Sequence, residues 1–222
     1  MAGSSTPEIF PTPTIVPLGD SSLLVRFGTD LTDAANRAAI ALALALERDP
    51  IAGVVEVVPN LISVLLRYYP QSSAAAGIAG ELRLRLFGLN SAAETARRWT
   101  LGVMLDGADL DEVATSLGMS GVDFVAAHNA RPLRVLATGF APGFVYCGLH
   151  PAELVLPRRK DVRPSVPAGT VLFAAGQTAI AATEMPTGWH VIGRTTFVNF
   201  DPAGDPPTQL SAGDVVTFEA QP

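Results

Sequence analysis

The chain has 222 residues, of which 48% are apolar and only 16% are charged, so it can bury one large core or two smaller ones. Its formal charge of -6 argues against general binding to nucleic acid or to an anionic membrane surface. The single cysteine, Cys147, excludes an internal disulfide and a metal site built from several cysteines, and a cytoplasmic location is the simplest prediction.

Residues 1–14 are rich in Ser, Thr and Pro and predict a disordered arm rather than a signal peptide. Residues 15–105 predict a small α/β domain, with strands at 22–27, 54–58, 62–69 and 99–105 and helices at 31–49 and 72–89. Thr32 or Asp33 would cap the first helix. The order β-α-β-β-α-β matches the ferredoxin-like plan.

Residues 106–132 predict a helical connection made of two short helices. Asp109 and Glu112 have the spacing of a capping box at the start of the first helix. The pair resembles a helix-turn-helix, but residues 121–129 contain no Lys or Arg to contact bases or phosphates. Two packed helices that bridge domains are therefore favoured over a nucleic-acid interface.

Residues 133–222 predict a compact β domain, either a sandwich or a barrel. Short apolar runs recur at 133–139, 170–175, 178–183, 189–193, 196–200 and 214–218, and ten of the 18 prolines fall after residue 138. The predicted fold class is α+β, with the α/β domain first and the β domain second.

Two stretches of this second part carry candidate chemistry. The uncharged "GFAPGF" at 139–144 is a glycine loop that is either a buried turn or a surface facing a ligand or a partner. The proline-stiffened stretch 156–169 holds Arg158, Arg159, Lys160 and Arg163. These guanidinium groups suit a carboxylate or phosphate, although a solvated loop or arginines paired with acids of a partner explain the same pattern equally well.

The remaining reactive side chains give weaker signals. His128, His150 and His190 lack the helical spacing of metal ligands, so no metal site is predicted and hydrogen-bonded structural roles are favoured. Cys147 has no basic residue beside it, so a buried, inert thiol is favoured over a nucleophile. Arg194 follows Gly193 at a predicted strand end, where a structural hairpin and a site are equally plausible.

Five ordered segments resemble the KipI-like family, also called allophanate hydrolase subunit 1 or 5-oxoprolinase subunit PxpB. They are "PLGDSSLLVRFG" at 17–28, "GFAPGF" at 139–144, "LPRRKDVRPSVPAGTV" at 156–171, "GWHVIGRT" at 188–195 and "AGDVVTF" at 212–218. The resemblance implies a cyclophilin-like β-barrel for the second domain. It also implies a heteromer with a homologous subunit 2, PxpC-like, and in some bacteria a third, PxpA-like subunit.

The activity implied by the resemblance is opening of a small amide such as 5-oxoproline or allophanate, with ATP hydrolysed at the complex. Candidate residues for binding substrate or ATP are Gly139, Phe140, Pro142, Gly143, Phe144, Arg158, Arg159, Arg163, Trp189 and Arg194. The catalytic residues stay unknown: His128, His150 and Asp214 are weak candidates for a general base, and the partner subunit is an alternative source.

Two other functions stay open at this point. A KipI-type inhibitor of a sensor histidine kinase would use the barrel as a docking surface. A peptide-bond isomerase would follow only by analogy with cyclophilins, and a fold alone does not carry function.

Overall fold

The computed structural model describes residues 10–71, 74–89 and 96–221. These residues form two compact units that divide at residues 95 and 96. The predicted disordered arm, residues 1–14, lies mostly outside the described residues, but Phe10 packs against the first core and Thr14 begins a strand. Within the described ranges, no helix has both the length and the apolar character needed to span a bilayer.

The first unit is a four-stranded antiparallel sheet with two helices. Its elements are β1 (Thr14–Leu18), β2 (Ser22–Arg26), α1 (Asp33–Arg48), β3 (Val54–Pro59), β4 (Ser63–Tyr68) and α2 (Ala75–Phe87). The strand order is β1-β2-β4-β3. Leu23 and Val25 of β2 pair with Leu66 and Val64 of β4, and these side chains are buried in one core with the apolar face of α1.

Local sequence explains both the confirmed and the missed elements of this unit. The Thr32 side chain accepts a hydrogen bond from the Ala35 amide at 3.2 Å, which confirms it as the cap of α1. Strand β1 is missed by the sequence pattern because Pro13 and Pro17 interrupt its apolar run. An edge strand tolerates proline since one side of it has no ladder to complete, and β1 is such an edge.

The second unit is built on a seven-stranded sheet. Its elements are β5 (Arg98–Val103), α3 (Leu110–Ser116), α4 (Gly121–Asn129), β6 (Leu133–Thr138), β7 (Val145–Gly148), a 3-10 turn (Ala152–Leu154), β8 (Arg163–Val166), β9 (Thr170–Ala174), β10 (Gln177–Ile180), β11 (Met185–Thr187), β12 (His190–Arg194) and β13 (Val215–Ala220). The sheet order is β12-β9-β10-β7-β6-β13-β5, while β8 and β11 form a separate ribbon.

The seven-stranded sheet curls until its two edges meet. The residues that follow β5 approach β12, where Met104 and Arg194 exchange backbone hydrogen bonds of 2.9 Å in both directions. The Gly107 amide continues this contact by donating to the Ile192 carbonyl at 3.1 Å. The curled sheet is consistent with the predicted cyclophilin-like domain.

The sequence pattern places residues 99–105 in the first domain, and that placement is wrong. β5 pairs in parallel with β13 along its whole length, from Arg98 opposite Val215 to Val103 opposite Ala220. The first sheet contains β1 to β4 alone among the described strands, so the ferredoxin-like plan is not confirmed. Helices α3 and α4, predicted as a connection, contribute side chains such as Phe124 to the core of the second unit.

Candidate functional site

Four aromatic rings in the second unit form a continuous row that ends in an arginine. Ring centroids are 5.9 Å apart from Phe140 to Phe144, 4.8 Å from Phe144 to Tyr146 and 5.9 Å from Tyr146 to Trp189. All three contacts are edge-to-face, the geometry in which aromatic quadrupoles attract. The Arg158 guanidinium carbon lies 5.6 Å from the Trp189 ring centroid, within cation–π range. We call these five residues the aromatic–arginine row.

The row passes from solvent into the core and back to solvent. Phe140 is 80% exposed, whereas Phe144 and Trp189 are buried. Tyr146 is half-buried, and Arg158 is exposed. Burial raises the pKa of the Tyr146 hydroxyl, and the positive charge of Arg158 partly opposes that rise. The phenol therefore stays protonated at neutral pH and offers a hydrogen-bond donor beside an exposed guanidinium.

Backbone geometry at the glycine loop holds Phe140 outward. Gly139 and Gly143 have φ of +120° and +67°, and Phe140 itself has a φ of +79°, in the region that favours glycine. A bulky side chain in this region costs roughly 1–2 kcal/mol. A strained, exposed phenylalanine is the kind of feature that marks a functional surface.

Hydrogen bonds fix this loop in place. The Gly139 amide donates to the Phe144 carbonyl at 3.0 Å, and the Phe144 amide donates to the Ala141 carbonyl at 3.0 Å. From a neighbouring segment, the buried Asn199 side chain donates to the Gly143 carbonyl at 2.8 Å. Pro142, at the tip, is exposed. The loop is therefore a preorganised surface rather than a buried turn.

Two of the predicted arginines bind an acid inside the protein. Arg159 and Arg163 donate to the same carboxylate oxygen of Asp109, Oδ1, at 2.8 and 2.6 Å. The other oxygen, Oδ2, accepts from the Val191 amide at 2.7 Å. The acid that pairs with Arg159 and Arg163 is therefore Asp109 of the same chain, whereas the alternative left open by the sequence was pairing with acids of a partner.

This arrangement corrects the interpretation of Asp109 as a capping-box residue. Asp109 stands at the N-cap of α3, but its side chain makes no capping hydrogen bond. A capping box needs the carboxylate to accept from the amide three residues later. Both of its oxygens are instead bound by guanidinium and backbone donors, and charge-assisted bonds are the stronger ones.

Arg194 lies on the seam of the curled sheet and not in the row. It forms a two-point ion pair with Asp106, with nitrogen–oxygen distances of 3.0 and 2.7 Å, and both side chains are at least half exposed. An exposed pair of this kind contributes little to stability.

The histidines His128 and His150 share one buried hydroxyl. Their Nε2 atoms lie 2.7 and 2.8 Å from the Thr178 oxygen, and Nδ1 of His128 lies 2.6 Å from the Asn129 side-chain oxygen. Because that amide oxygen only accepts, His128 is protonated on Nδ1 and its Nε2 accepts from Thr178. Thr178 then accepts from His150 Nε2, which leaves His150 Nδ1 bare, buried and without a partner among the described groups.

Burial lowers the pKa of both histidines, for His150 to about 3. A base that takes a proton from a substrate needs access to it, and both rings are buried, so the geometry does not favour these side chains as the general base. Asp214, the third weak candidate, is bound by Arg97 at 2.7 Å and by the Trp99 indole at 3.2 Å. Cys147 is fully buried, and burial raises the pKa of its thiol to about 12.

The structure thus brings together part of the predicted set. Phe140, Phe144, Trp189 and Arg158 join through Tyr146, a residue that sequence reasoning did not single out. Its signal was present in the alternation of β7, where Val145 and Cys147 are buried and Tyr146 points to the other side. Arg159, Arg163 and Arg194 belong to ion pairs outside the row.

The fold defines the class of protein: a first unit with a four-stranded sheet and two helices, and a second unit with a curled seven-stranded sheet that carries the ordered glycine loop at 139–144. A urea carboxylase from Kluyveromyces lactis has this fold, with a TM-score of 0.72 and 16% identity over 96% of this chain and 22% of that one. At this identity the likeness concerns the fold alone.

The chain belongs to the carboxyltransferase domain family, subdomain C and D, whose sequence pattern matches residues 13–210. The B subunit of 5-oxoprolinase from Bacillus subtilis is 34% identical over 215 residues, which cover 90% of each chain. The protein of the same name from Escherichia coli O157:H7 is 36% identical over 210 residues, covering 92% of this chain and 94% of that one. The family resemblance inferred from the sequence is confirmed.

The solved structure of TTHA0988 is 38% identical, with a TM-score of 0.79, over 90% of this chain and 40% of that one. The present chain therefore spans less than half the length of TTHA0988. An uncharacterized protein from Pyrococcus horikoshii is 33% identical with a TM-score of 0.55, covering 94% of this chain and 97% of that one.

Proposed function

We propose that this chain is the B subunit of a 5-oxoprolinase-type complex, which opens a small cyclic amide with ATP hydrolysis. The proposal is supported by the two relatives named as B subunits of 5-oxoprolinase, each matched over at least nine-tenths of its length. A subunit name implies further subunits, and the homologous subunit 2 expected from the sequence is the partner we assign.

The observation that carries a binding role for this chain is the exposed Arg158 beside Trp189 and Tyr146. A guanidinium group donates two parallel hydrogen bonds to a carboxylate, and the phenol supplies a third donor. The half-buried ring of Tyr146 offers an apolar surface against which a five-membered ring can pack. This end of the row suits a small cyclic molecule with one carboxylate.

The glycine loop lies at the opposite end of the row from Arg158 and would form a separate surface there, facing the partner subunit or another bound group. Its internal hydrogen bonds leave the backbone amides of Phe140 and Ala141 without an acceptor among the described residues. Backbone amides that are already fixed in place stabilise negative charge developing on a carbonyl oxygen. In the proposed reaction the amide oxygen of the substrate would take the γ-phosphoryl group of ATP with release of ADP, and water would then open the ring with release of phosphate.

The described residues near the row do not fit a triphosphate. Arg159 and Arg163 are neutralised in part by Asp109, which leaves Arg158 and the exposed Lys160 at one end of the row and an uncharged loop at the other. A triphosphate normally requires several cations or a nest of amides. We therefore derive no step in which this chain binds ATP and assign the nucleotide to another part of the complex.

The proposal is tested by reconstituting the chain with its co-encoded partners and measuring ATP hydrolysis with and without 5-oxoproline. We expect turnover that depends on oxoproline and on the complete complex. Arg158→Ala should raise KM for oxoproline ten- to a hundredfold, because a charged hydrogen bond contributes about 1.5–3 kcal/mol. Arg83→Ala, an equally exposed arginine on α2, is the matched control.

Two results would overturn the proposal. An intact complex with no oxoproline-dependent ATP hydrolysis would refute the proposed activity. An unchanged KM for oxoproline in Arg158→Ala would refute the proposed binding site. The kinase-inhibitor and isomerase interpretations share the same motifs and stay predictions.

A further inference from the structure

Asp109 is a buried carboxylate outside the aromatic–arginine row. It is hydrogen-bonded to both of the segments that carry the cation–π pair of Arg158 and Trp189. The residue is 4% exposed. Its side chain accepts from Arg159, Arg163 and the Val191 amide, and its own amide donates to the Val191 carbonyl at 2.9 Å. A buried charge is stable only when it is fully compensated in this way.

These bonds hold the two segments that carry the cation–π pair. Arg159 directly follows Arg158, and its amide donates to the Gly188 carbonyl at 2.8 Å. Val191 lies two residues beyond Trp189, on β12. One carboxylate thus fixes the backbone on either side of the contact between Arg158 and Trp189.

The cation–π contact between Arg158 and Trp189 is too weak to order the two side chains on its own. A single exposed cation–π interaction is weaker than, or comparable to, the rotamer entropy lost when an arginine side chain is ordered. The backbone that carries the two residues must therefore be fixed by other contacts, and the charge-assisted bonds to Asp109 are individually stronger than the neutral hydrogen bonds that also hold these segments.

We propose that Asp109 is a positioning residue that sets Arg158 against Trp189 for binding of the anionic group of the substrate. The inference rests on the proposed function in naming a substrate, but the positioning itself does not. Asp109 touches no ligand in this arrangement. It acts through the segment 157–163 and through the start of β12.

The first test measures how firmly the segment 157–163 is held, by limited trypsin digestion, and needs no enzymatic turnover. Trypsin cleaves after Arg158, Arg159 and Lys160, whereas Pro164 protects the bond after Arg163. In Asp109→Asn we expect cleavage at these three bonds to accelerate at least tenfold relative to cleavage after Arg194 in the same chain. Asp111→Asn, the same charge change at an exposed site on α3, should leave the ratio unchanged.

Asp109→Asn removes the negative charge that Arg159 and Arg163 share, and a variant that fails to fold would be uninformative, so Arg159→Met is the second variant. It removes one of the three donors to Asp109 and retains Arg163 and Val191. Cleavage at the two bonds that remain, after Arg158 and after Lys160, should accelerate by a smaller factor. An unchanged cleavage ratio in a folded variant, or a uniform rise at all sites of the second unit, would overturn the proposal.

The second test separates positioning from general stability in the reconstituted complex. We expect Asp109→Asn, or Arg159→Met, to raise KM for oxoproline about tenfold with a smaller change in kcat. In the Arg158→Ala background the same substitution should change KM less than twofold, since the residue it positions is gone. Equal effects in both backgrounds would refute the coupling. A complex without oxoproline turnover would refute the proposed function and leave the trypsin result to decide the positioning.

Discussion

Mild acid should weaken the second unit through its buried histidines. His150 and His128 share the Thr178 hydroxyl, and their ring centroids are 4.9 Å apart. The pKa of His150 is lowered to about 3, first by burial and then by repulsion from His128, when that ring is protonated, and from Arg131. No carboxylate is among the groups that shift it, so a proton on either ring would be uncompensated.

The direction follows from proton linkage. The unfolded chain binds a proton at His150 below about pH 6.5, whereas the folded chain does so only near pH 3. Stability is therefore complete above about pH 6.5 and falls as the pH is lowered toward 3. The loss is about 1.4 kcal/mol per pH unit, or about 2 kcal/mol between pH 7 and pH 5 for this histidine alone. That is a large part of the roughly 5–15 kcal/mol of a typical domain.

The assay compares the wild type with His150→Gln, whose amide can still donate to Thr178 and does not titrate. Both tryptophans, Trp99 and Trp189, lie in the second unit, so fluorescence in urea reports its unfolding. Carboxylates titrate in both proteins and cancel in the difference. We expect the wild type to lose about 2 kcal/mol more than the variant between pH 7 and pH 5. Losses equal within about 0.5 kcal/mol would refute the reasoning, since that margin is the usual limit of additivity.

Two further predictions concern the same unit. The pKa of Cys147, about 12, predicts that iodoacetamide at pH 8 labels the thiol only after denaturation, and rapid labelling of the native protein, seen by intact mass, would contradict it. Gly143→Ala should destabilise the protein by about 2–3 kcal/mol, because its Cβ would lie 2.5 Å from Cβ of Phe200 and its φ is positive. Gly19→Ala has a similar φ of +64° and no atom within 4 Å, so urea unfolding of this control measures the backbone cost alone.

Local pattern was enough to find most strands but not to assign β5 to its sheet. The stretches predicted at 170–175 and 214–218 correspond to β9 and β13, within two residues. Apolar and polar residues alternate in β5, but this pattern predicts only that one face of the strand is buried. It does not indicate which sheet the strand joins. Its partner, β13, lies more than 100 residues away in the chain. Residues 196–200 alternate similarly yet form only a single bridge, from Phe200 to Thr208.

The candidate site was predictable in its composition but not in its division of roles. Charge and spacing identified Arg158 and Arg159 together. Only the structure shows that neighbouring side chains diverge, with Arg158 over Trp189 and Arg159 on Asp109. The sequence pointed to Asp109 only through its capping-box spacing with Glu112. Its true partners could not be predicted, because Arg159 lies 50 residues later in the chain.

The position of β13 has a consequence for the order of folding. The strand β13 lies between β6 and β5, so β5 has no other neighbour in the sheet among the strands that the structure describes. Its pairing closes a loop of more than 100 residues, whereas β1 with β2 and β3 with β4 pair across short turns. Closing long loops is slow, and adjacent hairpins form quickly. On the ribosome, the first unit can therefore fold while β5 of the second unit is still unpaired. Until β13 is synthesised, the apolar core of the second unit stays exposed, and such surface is prone to aggregation.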